Sequence, residues 1–136
     1  MTRVVLDTNI VVSAALKAEG NEAAVLGLVA EGSLELWATP AILAEYEDVL
    51  RRPALALDPV KVRSLLAGLY EIAIVVKPTI TLEVSPHQAD NRFLECAEAT
   101  QADFLTTGNA RHFPKRWRGT RVVNARELLA AMARRP

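Results

Sequence analysis

Three carboxylates in this chain stand where a folded protein has little use for one. Asp7 ends Val4-Val5-Leu6, an unbroken aliphatic run of the kind shown by a strand covered on both faces. Glu45 lies at helical spacing from Ala41, Ile42 and Val49. Its neighbours Glu47 and Asp48 each have an arginine four residues on, Arg51 and Arg52, which fits surface ion pairs; Glu45 has none. Asp90 lies at helical spacing from Phe93, Leu94 and Ala97, and Arg92, Glu95 and Glu98 are expected on the outer face. A bare carboxylate among apolar neighbours is costly unless it is paired or holds a cation. Each acid also has a plainer explanation. Glu45 could reach solvent at the helix edge, and Asp90 could answer the positive end of a helix dipole. The cluster carries more weight, because the three come from different elements.

Those elements can be read from the hydrophobic pattern. After Asp7-Thr8-Asn9 the period becomes helical to about Lys17, and Glu22 to Glu31 repeats it until Gly32. Leu34 to Ala38 predicts a strand. Thr39 as N-cap and Pro40 at the first position start a helix to about Arg52, where Pro53 ends it. Pro59 to Tyr70 predicts a helix weakly broken at Gly68, and Ile72 to Val76 a strand. Residues 79–86 form a loop, Gln88 to Thr100 a helix, Asp103 to Thr107 a strand, and Gly108 to Gly119 a long basic loop. Arg121 to Val123 is a last strand, and Asn124 with Glu127 makes a capping box for a final helix. Strands alternating with helices argue for a parallel sheet with helices on both faces. Asp7 then sits at the carboxyl edge of the sheet, where ligands bind in such folds.

With 136 residues, 51% of them hydrophobic and 24% charged, the chain is expected to form one globular domain. No apolar run approaches the ~20 residues of a membrane span, and no secretory signal is recognisable. A lone cysteine, Cys96, excludes an intramolecular disulfide, fits a reducing cytoplasm and is expected to be a small core residue. Net charge is zero but uneven. Residues 1–100 hold 8 basic against 14 acidic side chains, and residues 101–136 hold 8 against 2. Unless folding mixes them, one part suits cations and the other polyanions.

Other candidates are weaker. Asp103 is expected to cap the turn before its strand. Thr106-Thr107-Gly108-Asn109 ends its strand the way Leu6-Asp7-Thr8-Asn9 ends the first, so Asn109 is expected at a strand-end position analogous to Asp7, where it offers an amide oxygen without charge. His87 and His112 lack the company of a zinc motif. There is no glycine-rich phosphate loop and no nucleophile elbow. Trp37 is expected in the core. Trp117, in Lys115-Arg116-Trp117-Arg118, either stacks a base between phosphate-binding cations or is a packed residue in a solvated loop.

Taken together, Val-Val-Leu-Asp7-Thr8-Asn9, Glu45, Ala-Asp90-Asn-Arg-Phe-Leu-Glu-Cys-Ala and Ala102-Asp103-Phe-Leu-Thr-Thr107-Gly108-Asn109 resemble the motifs of the PIN-domain nucleases. The resemblance is greatest to the small single-domain group that includes the VapC-type toxins of bacterial toxin–antitoxin pairs. It covers nearly the whole chain. It implies a single PIN-like domain over residues 1–136, a three-layer α/β/α sandwich with a mostly parallel central sheet. At Asn109 the chain departs from the family, most of whose members carry a fourth aspartate there. No acid in residues 110–118 replaces it.

The resemblance implies a nuclease that cuts single-stranded RNA with Mg²⁺ or Mn²⁺. Asp7, Glu45 and Asp90 would be its ligands, directly or through water, with Asn109 an auxiliary ligand. Asn9 and Thr107 would orient the carboxylates. The basic segment, through Arg111, Lys115, Arg116, Trp117 and Arg118, would hold the RNA by salt-sensitive phosphate contacts. A small antitoxin protein is the implied partner, a homodimer is compatible, and no membrane is involved. Two rivals stay open: a PIN-fold partner-binding module of weak or no activity, and another hydrolase using Asp7 as nucleophile.

Overall fold

In the computed structural model, which describes residues 1–134, an aliphatic strand runs straight into a carboxylate. Strand β1 (Thr2–Leu6) has Val4, Val5 and Leu6 wholly buried. Successive strand residues point to opposite faces, so both faces of β1 are covered. Helix α1 (Thr8–Leu16) follows at once, with Asp7 as its N-cap residue in extended conformation. Next come α2 (Asn21–Ala30), β2 (Leu34–Ala38), α3 (Pro40–Leu50), a 3₁₀ turn at Pro53–Leu55 and α4 (Pro59–Ile72). The rest is β3 (Ile74–Val75), α5 (Gln88–Thr100), β4 (Phe104–Thr106), a 3₁₀ turn at Ala110–His112, β5 (Arg116–Trp117), β6 (Thr120–Val123) and α6 (Ala125–Ala133).

The six strands form one sheet in the order β3-β2-β1-β4-β6-β5. Every pairing is parallel except β5 with β6. The expected α/β architecture with a mostly parallel central sheet is therefore present. β1 lies between β2 and β4, and its end at Leu6 is level with Thr106 of β4. Asp7 and Thr107 thus emerge side by side at the carboxyl edge.

Local chemistry explains most boundaries. Thr39 Oγ1 accepts a hydrogen bond from the Ile42 amide, with Pro40 in the first turn of α3. Asn124 and Glu127 make the reciprocal capping box of α6. Gly32, at φ +87°, takes the left-handed turn after α2. Glu47–Arg51 and Asp48–Arg52 form the expected pairs, at 3.3 and 3.0 Å.

Several expectations are corrected. α3 ends at Leu50, not Arg52. α4 passes through Gly68 and continues to Ile72, which shortens the expected Ile72–Val76 strand to Ile74–Val75. Residues 108–119 are not an open loop. Phe113 is buried, and the segment carries the 3₁₀ turn and edge strand β5. Trp37 is half-buried, with the Arg3 guanidinium 4.9 Å from its ring centre. Glu95 is 4% exposed rather than on an outer face, because residues 82–87 fold over α5. Its carboxylate accepts from the Leu82 amide at 2.7 Å and pairs with Arg92, also at 2.7 Å. No helix among the described residues is long and apolar enough to cross a membrane.

Candidate functional site

Four chain segments meet at the carboxyl edge beside β1. Asp7 is 7% exposed and its Oδ2 accepts from Thr107 Oγ1 at 2.7 Å. Burial pushes the Asp7 carboxyl above its ordinary value. The Thr107 hydrogen bond pulls it back, and the charge of Asp90 pushes it up again. The Thr8 backbone lowers it slightly and the charge of Glu45 raises it. Glu45 and Asp90 therefore lie within electrostatic reach of Asp7. Of the three acids singled out in the sequence, Glu45 and Asp90 thus both bear on Asp7 through their charge.

Each carboxylate is held differently. Glu45, half-buried on α3, accepts a hydrogen bond from Thr8 Oγ1. The next residue, Tyr46, is fully buried, and its hydroxyl donates to the Leu6 carbonyl just before Asp7. Burial raises the phenol's pKa well above its ordinary value, so it remains a donor. Together these two bonds pin α3 to the turn that carries Asp7. Asp90 lies in the first turn of α5, its side chain 15% exposed. Its Oδ2 is buried with no hydrogen-bond partner, and His112 Nδ1 stands 3.8 Å away.

Thr107 touches Asp7 directly. Asn9 does not. Its Oδ1 accepts from the Gly108 amide at 3.0 Å, which locks the β4 exit against α1. Asn109 is exposed at this edge, and its amide donates to Thr107 Oγ1 at 3.0 Å. It shapes the turn through its backbone.

The basic segment divides. β6 runs parallel to β1 and β4, so the β5–β6 turn at Arg118 and Gly119 lies at the edge opposite the carboxylates. There Arg118 pairs with Glu98 at 2.7 Å and lies 5.2 Å from the Trp117 ring centre. Trp117 is half-buried. Arg111, in the 3₁₀ turn after Asn109, stays at the carboxylate edge, and Lys115 and Arg116 lead away from it along the sheet margin. The single RNA-holding surface expected of Arg111, Lys115, Arg116, Trp117 and Arg118 is therefore spread from one edge to the other. Sequence order could not show this, because a two-residue antiparallel strand has no detectable period.

Residues that sequence reasoning missed hold Asp90 in place. Asn91 is 1% exposed and closes a pair of bonds with the Ser85 backbone: Ser85 N to Oδ1 at 2.8 Å and Nδ2 to Ser85 O at 3.0 Å. A buried Asn next to Asp90 was the available signal. Thr8 and Tyr46 each adjoin a singled-out acid; a buried tyrosine needs a hydroxyl partner.

The donor set is all oxygen, which fits a hard divalent cation. The open Asp90 oxygen and the like-charge pressure on Asp7 are features a cation would relieve. Yet among the described residues no group of three or more His, Cys, Asp and Glu side chains is arranged to hold a metal ion. A strongly hydrated ion, bound by one or two carboxylates with waters filling its shell, fits better than one wrapped by protein. A cleft of about 790 Å³ lies elsewhere, between α2 and α4, lined by Leu26, Val29, Leu65, Leu69 and Ile72.

Residues 3–111 match the sequence model of the PIN domain. The chain is similar to an uncharacterized protein of Methanocaldococcus jannaschii, 24% identical over 107 residues covering 76% of this chain and 69% of that protein. Its fold is similar to a chain in the crystal structure of VapBC2 from Rickettsia felis bound to a DNA fragment from their promoter. That match has a TM-score of 0.60 and 17% identity, over 90% of this chain and 98% of the other. At this identity the likeness speaks for the fold.

Proposed function

This chain belongs to the PIN-domain family, and from that premise we propose that it is a Mg²⁺- or Mn²⁺-dependent endoribonuclease acting on single-stranded RNA in the cytoplasm. We further infer that it is the toxin of a bacterial toxin–antitoxin pair. The observation that carries the reading is Asp7, a buried carboxylate whose affinity for its proton is raised by burial and by the charges of Asp90 and Glu45.

Asp7, Glu45 and Asp90 would hold the cation, one or two of them directly and the rest through its waters, with the Asn109 amide as an auxiliary oxygen. The cation supplies positive charge opposite the scissile phosphate and makes a nearby water more acidic. The residues of the chain do the positioning. Thr107 fixes one oxygen of Asp7, Thr8 fixes Glu45, and Tyr46 holds α3 to the end of β1. Asn9 keeps the β4 exit closed against α1. Arg111 and Lys115, exposed and on acid-free chain, attract the RNA backbone, and Arg116 extends that surface; Arg118, paired with Glu98 near the opposite edge, and Trp117 beneath its guanidinium lie outside it. A small antitoxin protein is the partner this reading implies.

A PIN-fold partner-binding module of weak or no activity is the second reading, favoured by Asn109, an uncharged amide where most of the family carries a fourth aspartate. Incubation of single-stranded RNA with the protein and Mn²⁺ separates the two. The nuclease reading expects cleavage that EDTA stops and that Asp7→Asn or Asp90→Asn abolishes. Cleavage unaffected by either substitution, or no cleavage and no Mn²⁺-dependent rise in Tm, overturns it.

A further inference from the structure

We propose that His87 and His112 form a seat on which a nucleobase of the bound RNA stacks beside the carboxylates, an inference that rests on the ribonuclease reading above. The two imidazoles lie with centroids 4.4 Å apart and planes tilted by 31°. His112, half-buried, closes the 3₁₀ turn after Asn109 and directs Nδ1 toward Asp90 Oδ2 at 3.8 Å. His87 immediately precedes α5 and is exposed. It occupies the N-cap position yet makes no side-chain capping bond, so its ring has no role in ending the helix.

One residue fixes the backbone of both histidines. Ser85 Oγ donates to the His112 carbonyl at 3.1 Å and accepts from the His87 amide at 3.2 Å. Ser85 is itself buried and clamped by Asn91. A lone surface histidine would sample several rotamers. Here the outer ring is backed by a second ring on a framed backbone, so little side-chain freedom remains to be lost when a base stacks. Arg111 beside His112 is an exposed cation for the adjoining phosphate. Aromatic face plus cation is the combination that binds single strands with little regard to sequence, because every base has a π-face. Stacking requires no change in the charge of either histidine.

The test uses Asp7→Asn protein, so that RNA is bound and not cut, and the anisotropy of a short fluorescein-labelled single-stranded RNA at fixed pH and salt. Adding His87→Ala should weaken binding roughly five- to tenfold, and His87→Phe should return it to within about twofold of the parent. Circular dichroism melts check that both variants are folded. Unchanged binding with His87→Ala overturns the seat and leaves the nuclease reading standing. Binding by His87→Phe as poor as by His87→Ala also overturns it, since the ring would then act through its nitrogens. If the Asp7→Asn parent binds no RNA, the ribonuclease reading itself fails.

Discussion

Thr107 donates from its hydroxyl to Asp7 across the ends of two adjacent parallel strands, at 2.7 Å, and the same oxygen accepts the Asn109 amide at 3.0 Å. One wholly buried side chain thereby sets the direction of the acid and the path of the chain leaving β4. The bond favours the ionised form of Asp7 against the larger effect of burial.

Thr107→Val keeps the shape and deletes the hydroxyl. Asp7 loses its side-chain donor and the Asn109 amide its acceptor. A stability loss of about 1–3 kcal/mol is expected, as for leaving a buried polar group unpaired. The Asp7 pKa should move further up. Urea melts measure the first effect and carboxyl NMR titration the second. A melt unchanged from wild type would mean that water replaces the hydroxyl.

The pH dependence follows from the direction of the Asp7 shift. Its folded pKa lies above the unfolded value, chiefly through burial. Between the two values the folded state binds more protons, so stability falls as pH rises. The favourable contribution is complete below the unfolded pKa and gone above the folded one. Asp7→Asn should remove this fall, and the variant should be more stable than wild type at neutral pH without metal. Denaturant melts of both proteins from acid to neutral pH check it. Equal slopes would place the titration elsewhere.

The sequence made some of this site legible because local chemistry dictates it. Val4, Val5 and Leu6 can only be a doubly covered strand, so Asp7 had to fall at a sheet edge. Thr39-Pro40 and Asn124 with Glu127 mark their helix starts by their own hydrogen-bonding needs. What stayed hidden depends on tertiary packing. Glu95 is polar and helical, and nothing local says that the Leu82 amide will close over it. Arg118 follows Lys115 and Arg116 in sequence, yet a tight turn carries it to the edge opposite Asp7. Tyr46 reaches Leu6 from 40 positions away.

That turn divides the basic segment experimentally. Arg118 is committed to Glu98 and is far along the sheet from the carboxylates. Arg118→Ala should leave RNA affinity and its salt dependence near wild type, and lower stability by about 1–3 kcal/mol, because the Glu98 carboxylate, only 22% exposed, is left without its partner. Arg111→Ala with Lys115→Ala should weaken binding and flatten the salt slope. Affinity measured at several salt concentrations decides it. A flattened slope with Arg118→Ala alone would show that the RNA path extends to the far edge.

Asn109 is where the chain departs from the pattern its other motifs follow. It is exposed beside the site, and its backbone amide already bonds to Thr107. Asn109→Asp therefore adds a charge without disturbing a buried contact. Without metal the new carboxylate joins Asp7, Glu45 and Asp90, and like charges repel. The metal-free variant should melt at lower temperature than wild type, and more so at neutral than at acid pH. A divalent cation reverses the sign, because a carboxylate binds it more firmly than an amide oxygen does, and binding to the folded state stabilises that state. Mn²⁺ should accordingly bind more tightly to Asn109→Asp and raise its Tm by more than it raises that of wild type. Calorimetric titration and paired melts measure both. Equal affinity and stoichiometry in the two proteins would mean that position 109 faces away from the ion, and Asn109 would then act through its backbone alone.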